Sequence, residues 1–422
     1  MYTIKIPRAD IIAKISFAIF IFITFFGTSL PSFQAKMQEI GTEDIETSNI
    51  VNQIIYPILF FLSFIAFLSN TQSAISIIKK EKLFSILLFY ALITISWSDF
   101  PLVSFKRWFQ IFTYFFVILV FLSYSKNYNE LLKILKPILY AFIFISFVVV
   151  LVIPGAKDPA FGTWRGLSPH KNSFGQRSLI ATVLSSIILI NENNRIKKII
   201  GLIMVSIAIT LVIGSVSSTA YTALFIFLSM SLLFYLKNRI FNSIGAGYFL
   251  FFTTIFFAAS LLIVVFVFFP EVLDMFQGIF GKEGSYDDRN RLWQVIIFNI
   301  SQHPIQGCGF QGFWVIESPT IQLIYNSFLW LPIQGHNGYL DMINEIGLIG
   351  LSLFLLVIVN YFRKAIINKN LNLWAWFLVL PLVINITETT LFRVGHITNA
   401  FIIMGYLIMF SKIFEKSTLK NF

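Results

Sequence analysis

A chain of 422 residues that is 57% hydrophobic and only 12% charged cannot cover a water-facing globule, because soluble domains carry about 25% charged residues. The single cysteine, Cys308, excludes an internal disulfide and a thiolate zinc site, and 22 Gly with 13 Pro exclude a collagen-like or low-complexity chain. The net charge of +11 falls in small basic clusters between apolar runs, which is how a multispanning membrane protein is oriented and not how nucleic acid is gripped. The expected fold class is therefore all-α: a polytopic membrane helical bundle forming a single integral membrane domain over residues 1–422.

A spanning helix needs about 20 mostly apolar residues. On that scale the chain predicts twelve, over 11–30, 51–68, 83–97, 105–123, 134–153, 173–190, 196–213, 216–236, 248–269, 338–361, 371–387 and 395–413. The third and eleventh are short. The first follows Lys5, Arg8 and Lys14 as a secretory leader would, but it is long for that role. No small-x-small cleavage site follows it, so it reads as a retained helix.

Twelve spans put both termini on one side, and the basic residues say which. The loops and ends on that side hold 20 of the 31 Lys and Arg and five acids, a net of +15 against −4 on the other. Both termini are expected in the cytoplasm. The opposite, outer side then carries a long loop, 270–337, between the ninth and tenth helices. Its stretches 292–300 and 321–332 are strongly apolar and are expected to lie in the interface or dip back into the protein.

Eleven basic residues nevertheless face outward on this reading, among them Lys106, Arg107, Arg165, Lys171, Arg177, Arg289, Arg291 and Arg393. Each alone suits a lipid head group or a nearby acid such as Asp99 or Glu388. As a set at one depth they suit a shared anionic ligand. His170-Lys171-Asn172 and His336-Asn337 precede the sixth and tenth helices, where each Asn is placed to cap the helix. A positive helix end beside a histidine welcomes phosphate and favours the neutral imidazole that accepts a proton. Asp341 and Glu345 share a helix face with His336.

Other signals carry less. Gly307-Cys308-Gly309-Phe310-Gln311-Gly312 spells G-x-G-x-x-G without the strand and helix that a dinucleotide site needs. Asp287-Asp288 could hold a divalent cation, but a solvated pair beside Arg289 is the plainer reading. Trp residues gather near the outer interface as a membrane belt. Trp164, Trp293 and Trp314 are also placed to stack on sugar rings.

Four segments together resemble a known family. Trp164-Arg165-Gly166-Leu167 leading to His170-Lys171-Asn172-Ser173-Phe174-Gly175 is similar to the "RG…HKN.LG" segment of the O-antigen ligase and polymerase superfamily. Asp288-Arg289-Asn290-Arg291-Leu292-Trp293 with His303-Pro304-Ile305-Gln306-Gly307-Cys308-Gly309-Phe310 resembles its "GR..LW…RP..G.GFG.F" block. His336 to Gly350 resembles "HN.YLD.L.E.GL.GL", and Asn385-Ile386-Thr387-Glu388 the closing "N.TE". The first block is nearest the exopolysaccharide polymerase branch.

The resemblance implies a GT-C-like, inverting, metal-independent glycosyltransferase with no cofactor. Its donor would be an undecaprenyl-diphosphate-linked oligosaccharide and its acceptor a glycan or lipid, with membrane lipid around it. A chain-length regulator is a further partner that the sequence does not name. Carried over by motif, the catalytic residues are Arg165, Arg289 and His336. Asp288 stands where the family has Gly, and Gln311 replaces a second Gly, so Arg291 remains an alternative to Arg289. Substrate binding is expected from Lys106, Arg107, His170, Lys171, Asn172, Arg177, Arg291, Trp293, Asn337, Asp341, Glu345, Glu388 and Arg393. Polymerisation of lipid-linked repeat units is the leading reading, and ligation to a lipid A core is the alternative. A transporter for lipid-linked sugars is the rival class, but it should carry charges at mid-membrane, and the middles of the twelve spans have none.

Overall fold

The structure is a computed structural model that describes residues 6–27, 50–158, 162–240, 285–328, 333–367 and 373–414. In chain order its helices are α1 (Ala9–Phe26), α2 (Ile50–Ser69), α3 (Thr71–Glu81), α4 (Leu83–Thr94), α5 (Pro101–Tyr124), α6 (Tyr128–Val152) and α7 (Lys171–Asn191). There follow α8 (Arg195–Ser215), α9 (Ser218–Ile240), α10 (Ser285–Gln302), α11 (Pro319–Phe328), α12 (Gly338–Ile367), α13 (Trp376–Ile384) and α14 (Ile397–Ile408). Among the described residues the extended pairing is a lone bridge between Lys157 and Trp164. The all-α membrane class is borne out. Helices α1, α2, α5, α6, α7, α8 and α12 are long and apolar enough to cross a membrane by length and composition, and α4, α9, α13 and α14 are shorter apolar helices. Eleven of the twelve expected spans coincide with these helices; the ninth, 248–269, lies outside the described residues.

Helices α5 and α7 are the most buried of the seven and also the least apolar. They bury Ser104, Gln110, Thr113, Gln176, Arg177, Ser178 and Thr182. By contrast α8, among the most apolar, turns Ile196, Ile199, Leu202 and Ile203 outward. A bundle solvated by lipid tails gains nothing by hiding Leu and Ile, so packing and hydrogen bonding decide what goes inside. The interior is aromatic: Phe17 stacks on Phe121 with ring centroids 4.0 Å apart, and Phe84 on Phe115 at 5.7 Å.

The two ends of the bundle differ. At one, Lys14 pairs with Asp10 at 3.6 Å and Glu130 at 4.0 Å, and Lys136 meets Glu192 at 3.1 Å. At the other, the connections 95–100, 153–158, 162–170, 303–318 and 385–396 come together. The apolar stretch 292–300 lies in α10 and residues 321–328 of the second lie in α11; 329–332 are outside the described residues. Leu292, Ile296, Ile321 and Ile324 pack with Phe313 and Trp314 into a small core of their own. Ile297, Phe298, Leu323 and Tyr325 stay exposed on these helices.

Helix α12 is broken near its start. Gly347 has φ 66° and ψ −173°, a region that only glycine occupies without strain. The break frees four backbone groups, and the segment 304–309 takes them up. Cys308 N donates to Asn344 O (2.9 Å) and Gly309 N to Glu345 O (2.9 Å), while Leu348 N and Ile349 N donate to Pro304 O (3.0 Å) and Ile305 O (3.2 Å). The near-miss dinucleotide motif is therefore a plug for a broken helix. A Cβ on Gly347 would sit 2.1 Å from the Ile305 carbonyl oxygen. Gly347→Ala is expected to cost about 3 kcal/mol or more from backbone strain and overlap together. A large fall in the thermal midpoint of the detergent-purified protein checks this, and an unchanged midpoint contradicts it.

Candidate functional site

The site is assembled on the first turn of α12. Asn337 caps the helix as its sequence position predicts: its Oδ1 accepts from Tyr339 N (3.1 Å) and Leu340 N (3.2 Å). Gly338 N then donates to Asn385 O (2.9 Å) and Glu388 O (3.2 Å), tying the helix start to the turn after α13. That turn is built by Asn385, whose Oδ1 takes Thr390 N (2.7 Å) and Leu391 N (2.9 Å). A Cβ on residue 338 would meet Asn385 Oδ1 at 2.0 Å, so only glycine permits the approach.

His336 therefore stands against Glu388, with its Nδ1 3.5 Å from Glu388 Oε2. Its φ is +50°, and left-handed backbone costs a side-chain-bearing residue roughly 1–2 kcal/mol. Gln311 (φ +48°) and Phe392 (φ +55°) share the strain, and Gln311 Nε2 donates to Phe392 O. Such clusters of strained backbone mark functional sites.

Asn172 Nδ2 donates to the other oxygen of Glu388, Oε1, at 2.8 Å. Burial raises the proton affinity of the Glu388 carboxyl. The hydrogen bond with His336 and the charges of His336, Arg289 and His170 outweigh it and hold the group down at about 2. Glu388 is thus a carboxylate throughout the neutral range. The same interactions place Arg289, of α10, and His170 within electrostatic reach of the His336–Glu388 pair. His170, rather than Asn172, caps α7: its Nδ1 accepts from Asn172 N at 3.2 Å. The expectation that Asn172 caps is corrected, because its amide side chain turns to Glu388.

Behind His336 lies a buried charged network. Arg393 Nη2 is 2.7 Å from Glu345 Oε1 and 3.5 Å from Asp341 Oδ2. Asp341 also accepts from Trp314 Nε1 (3.0 Å) and Gly335 N (2.8 Å), and Trp293 Nε1 donates to Gly335 O (2.7 Å). The loop carrying His336 is in this way held by two tryptophans and an aspartate. Arg107 reaches across from α5 to Gln311 O (2.6 Å) and Trp314 O (3.1 Å).

The remaining expected residues fall nearby or in support. Arg165 Nε donates to Gly155 O (2.9 Å), on the segment that delivers His170 and Asn172. Arg177 is buried in α7 and donates to Ser168 Oγ (3.0 Å). Lys106, Arg291 and Lys171 lie at the ends of α5, α10 and α7 on this side of the bundle; the first two are exposed and Lys171 is half-buried. The ring of Trp314 is buried and so is not offered to a sugar, while that of Trp164 is half-buried and packs on Gly214. Reading by residue type missed Gln311 and Asn399, which accepts from Phe392 N (2.9 Å) and donates to Arg393 O. Uncharged amides that shape turns leave no signal in a charge pattern. Among the described residues, no three His, Cys, Asp or Glu gather as metal ligands would.

Residues 202–355 match the family model described as O-antigen ligase. The match takes in Arg289, His336, Asp341 and Glu345. Over 93 residues the chain is 32% identical to the exopolysaccharide production protein ExoQ of Rhizobium meliloti (strain 1021), covering 21% of each chain. Over 97 residues it is 31% identical to a protein of Rickettsia felis that carries the name of a polysaccharide ligase, covering 22% of this chain and 24% of that one. A similarly named protein of Rickettsia conorii is 30% identical over 105 residues, covering 24% of this chain and 26% of that one. The matches span about a fifth to a quarter of the length of these curated relatives. The resemblance to the O-antigen ligase superfamily is borne out.

Proposed function

We propose that this chain is a membrane glycosyltransferase that polymerises undecaprenyl-diphosphate-linked repeat units at the periplasmic face of the inner membrane, both termini being cytoplasmic. The observation that carries this reading is the His336–Glu388 pair, set beside Arg289 at the end of the bundle opposite the Lys14 and Lys136 ion pairs. An imidazole whose Nδ1 faces a carboxylate presents Nε2 to substrate, which is the arrangement of a general base.

In the proposed step an acceptor hydroxyl attacks the anomeric carbon of the donor sugar. The bond from that carbon to the diphosphate oxygen breaks, and the electron pair leaves with the lipid diphosphate. His336 Nε2 takes the hydroxyl proton, and Glu388 stabilises the resulting imidazolium. Arg289, with Arg165 and the basic residues around α5 and α7, neutralises the leaving diphosphate, so no divalent ion is required. One displacement inverts the anomeric configuration. The names of the Rickettsia relatives favour a second reading, transfer of a finished glycan to a lipid A core or similar acceptor.

The test uses purified protein in lipid with radiolabelled undecaprenyl-diphosphate oligosaccharide. A ladder still joined to lipid supports polymerisation, and transfer to an added acceptor supports ligation. Movement across the vesicle wall without a new linkage contradicts both.

The pH dependence follows from Glu388. Its folded value near 2 lies below the ordinary carboxylate range. The stabilisation it contributes is therefore complete above that range and lost only as pH falls toward 2. Across the neutral range the rate is therefore not limited by protonation of Glu388. Glu388→Gln removes the anion beside the imidazole, so the rate is expected to fall about tenfold or more. A rate profile superimposable on the wild type contradicts the pairing.

A further inference from the structure

The face of the 304–309 plug turned away from Arg393 borders a second recess of about 370 Å³. Ligand pockets run from roughly 300 to 1,000 Å³, so the recess suits a short run of sugar rings. None of Arg165, Arg289, His336, Glu388 or Arg393 lines it. Two aromatic rings do, those of Trp97 and Phe313. Trp97 gives its indole N–H to Gly307 O at 3.1 Å and so presents its ring as a wall. Its ring is 38% exposed.

The polar lining comes from Asp99, Asn299, His303, Gln306, Ser318 and Thr320. These side chains mix donors and acceptors, as a set of sugar hydroxyls does, and the carboxylate of Asp99 accepts from hydroxyls at the rim. No Lys or Arg is among the described residues of the lining, so the recess does not suit a diphosphate. Flat apolar walls with a few convergent polar groups, one imidazole and one carboxylate recognise the two faces of a neutral sugar: the C–H face and the hydroxyl edge.

One segment of backbone separates the recess from the Glu345–Arg393 network behind His336. Cys308 N and Gly309 N bond to the carbonyls of Asn344 and Glu345, and the Glu345 carboxylate holds Arg393. Asn299, also in the lining, donates to Asn344 Oδ1 at 2.6 Å. Burial pushes the Cys308 thiol up to about 12, with the negative charges of Glu345 on one side and Asp99 on the other adding to it. A single thiol thus lies within reach of both sites.

We infer that this recess is a glycan subsite that holds uncharged sugar residues between Trp97, Phe313 and the polar edge of Asp99, Gln306, Ser318 and Thr320, alongside the site of transfer. That the glycan is donor or acceptor in a transfer rests on the function proposed above; the binding does not. Occupancy of the recess would hold the chain's sugars in register with His336 through the plug that anchors both.

The probe is the lipid-free neutral oligosaccharide released by mild acid from the polysaccharide of the producing bacterium. Its binding to the full chain in detergent is measured by saturation-transfer NMR and calorimetry. Wild type is expected to bind it saturably, and His336→Ala to bind it equally well. Asp99→Asn, which keeps the shape of the side chain, and Thr320→Trp, which fills the recess, are each expected to weaken binding about tenfold or more. Absence of saturable binding to wild type overturns the inference, as does wild-type affinity in both variants. If the lipid-linked donor is turned over while both variants bind like wild type, the subsite fails and the proposed function stands. If binding follows the variants but no linkage is formed, the subsite stands and the proposed function fails.

Discussion

His336→Ala is expected to lower the rate of glycan transfer by about 10²–10⁴-fold, the usual contribution of a positioned acid or base, with little change in the KM for the lipid-linked donor. On the proposed function guanidinium groups would hold the donor's diphosphate and the apolar bundle its tail, so removing the imidazole would take away only an interaction made as the proton moves. The loop does not depend on this side chain for its shape. Asn337 caps α12, Trp293 holds Gly335, and Asp341 takes Gly335 N. The variant should accordingly purify folded, with a lower thermal midpoint because the buried Glu388 loses its partner. Loss of transfer by folded protein with unchanged donor binding supports the assignment. A raised KM at wild-type kcat would make His336 a binding residue instead.

Arg393→Ala is expected to act on stability. The guanidinium, 10% exposed, lies 2.7 Å from Glu345 and 3.5 Å from Asp341, whose side chains are 7% and 2% exposed. Removing it leaves two buried carboxylates facing each other, and breaking a buried ion pair from one side costs about 3–5 kcal/mol. Arg393→Lys should recover only part of the loss, since an ammonium cannot span both carboxylates with fixed planar donors. Adding Asp341→Asn and Glu345→Gln to Arg393→Ala should restore much of the stability without restoring full activity. Thermal unfolding of the four proteins in one detergent decides the matter; equal midpoints would remove the network from the account.

The helices were legible because lipid demands long apolar runs, and eleven of the twelve expected spans coincide with helices. Their lengths were less legible. Helix α13 covers only nine residues and α14 twelve; the Asn385 turn ends a run whose hydropathy reads as continuous. The break at Gly347 could not be read at all. Its neighbours are apolar on the C-terminal side, and the segment that fills it, 304–309, lies some forty residues away in sequence. Charge and residue type brought His336, Glu388, Asp341, Glu345 and Arg393 into view. They could not say that three of these five neutralise one another while the other two form a pair. That distinction depends on distances of an ångström or two.

The most direct measurement is the anomeric configuration of the linkage made by the purified protein from a lipid-linked donor of known configuration, read by NMR in the presence of EDTA. A single displacement assisted by His336 and arginine predicts the opposite configuration in the product, formed at an undiminished rate. A retained configuration, or no linkage until a divalent ion is added back, would contradict it.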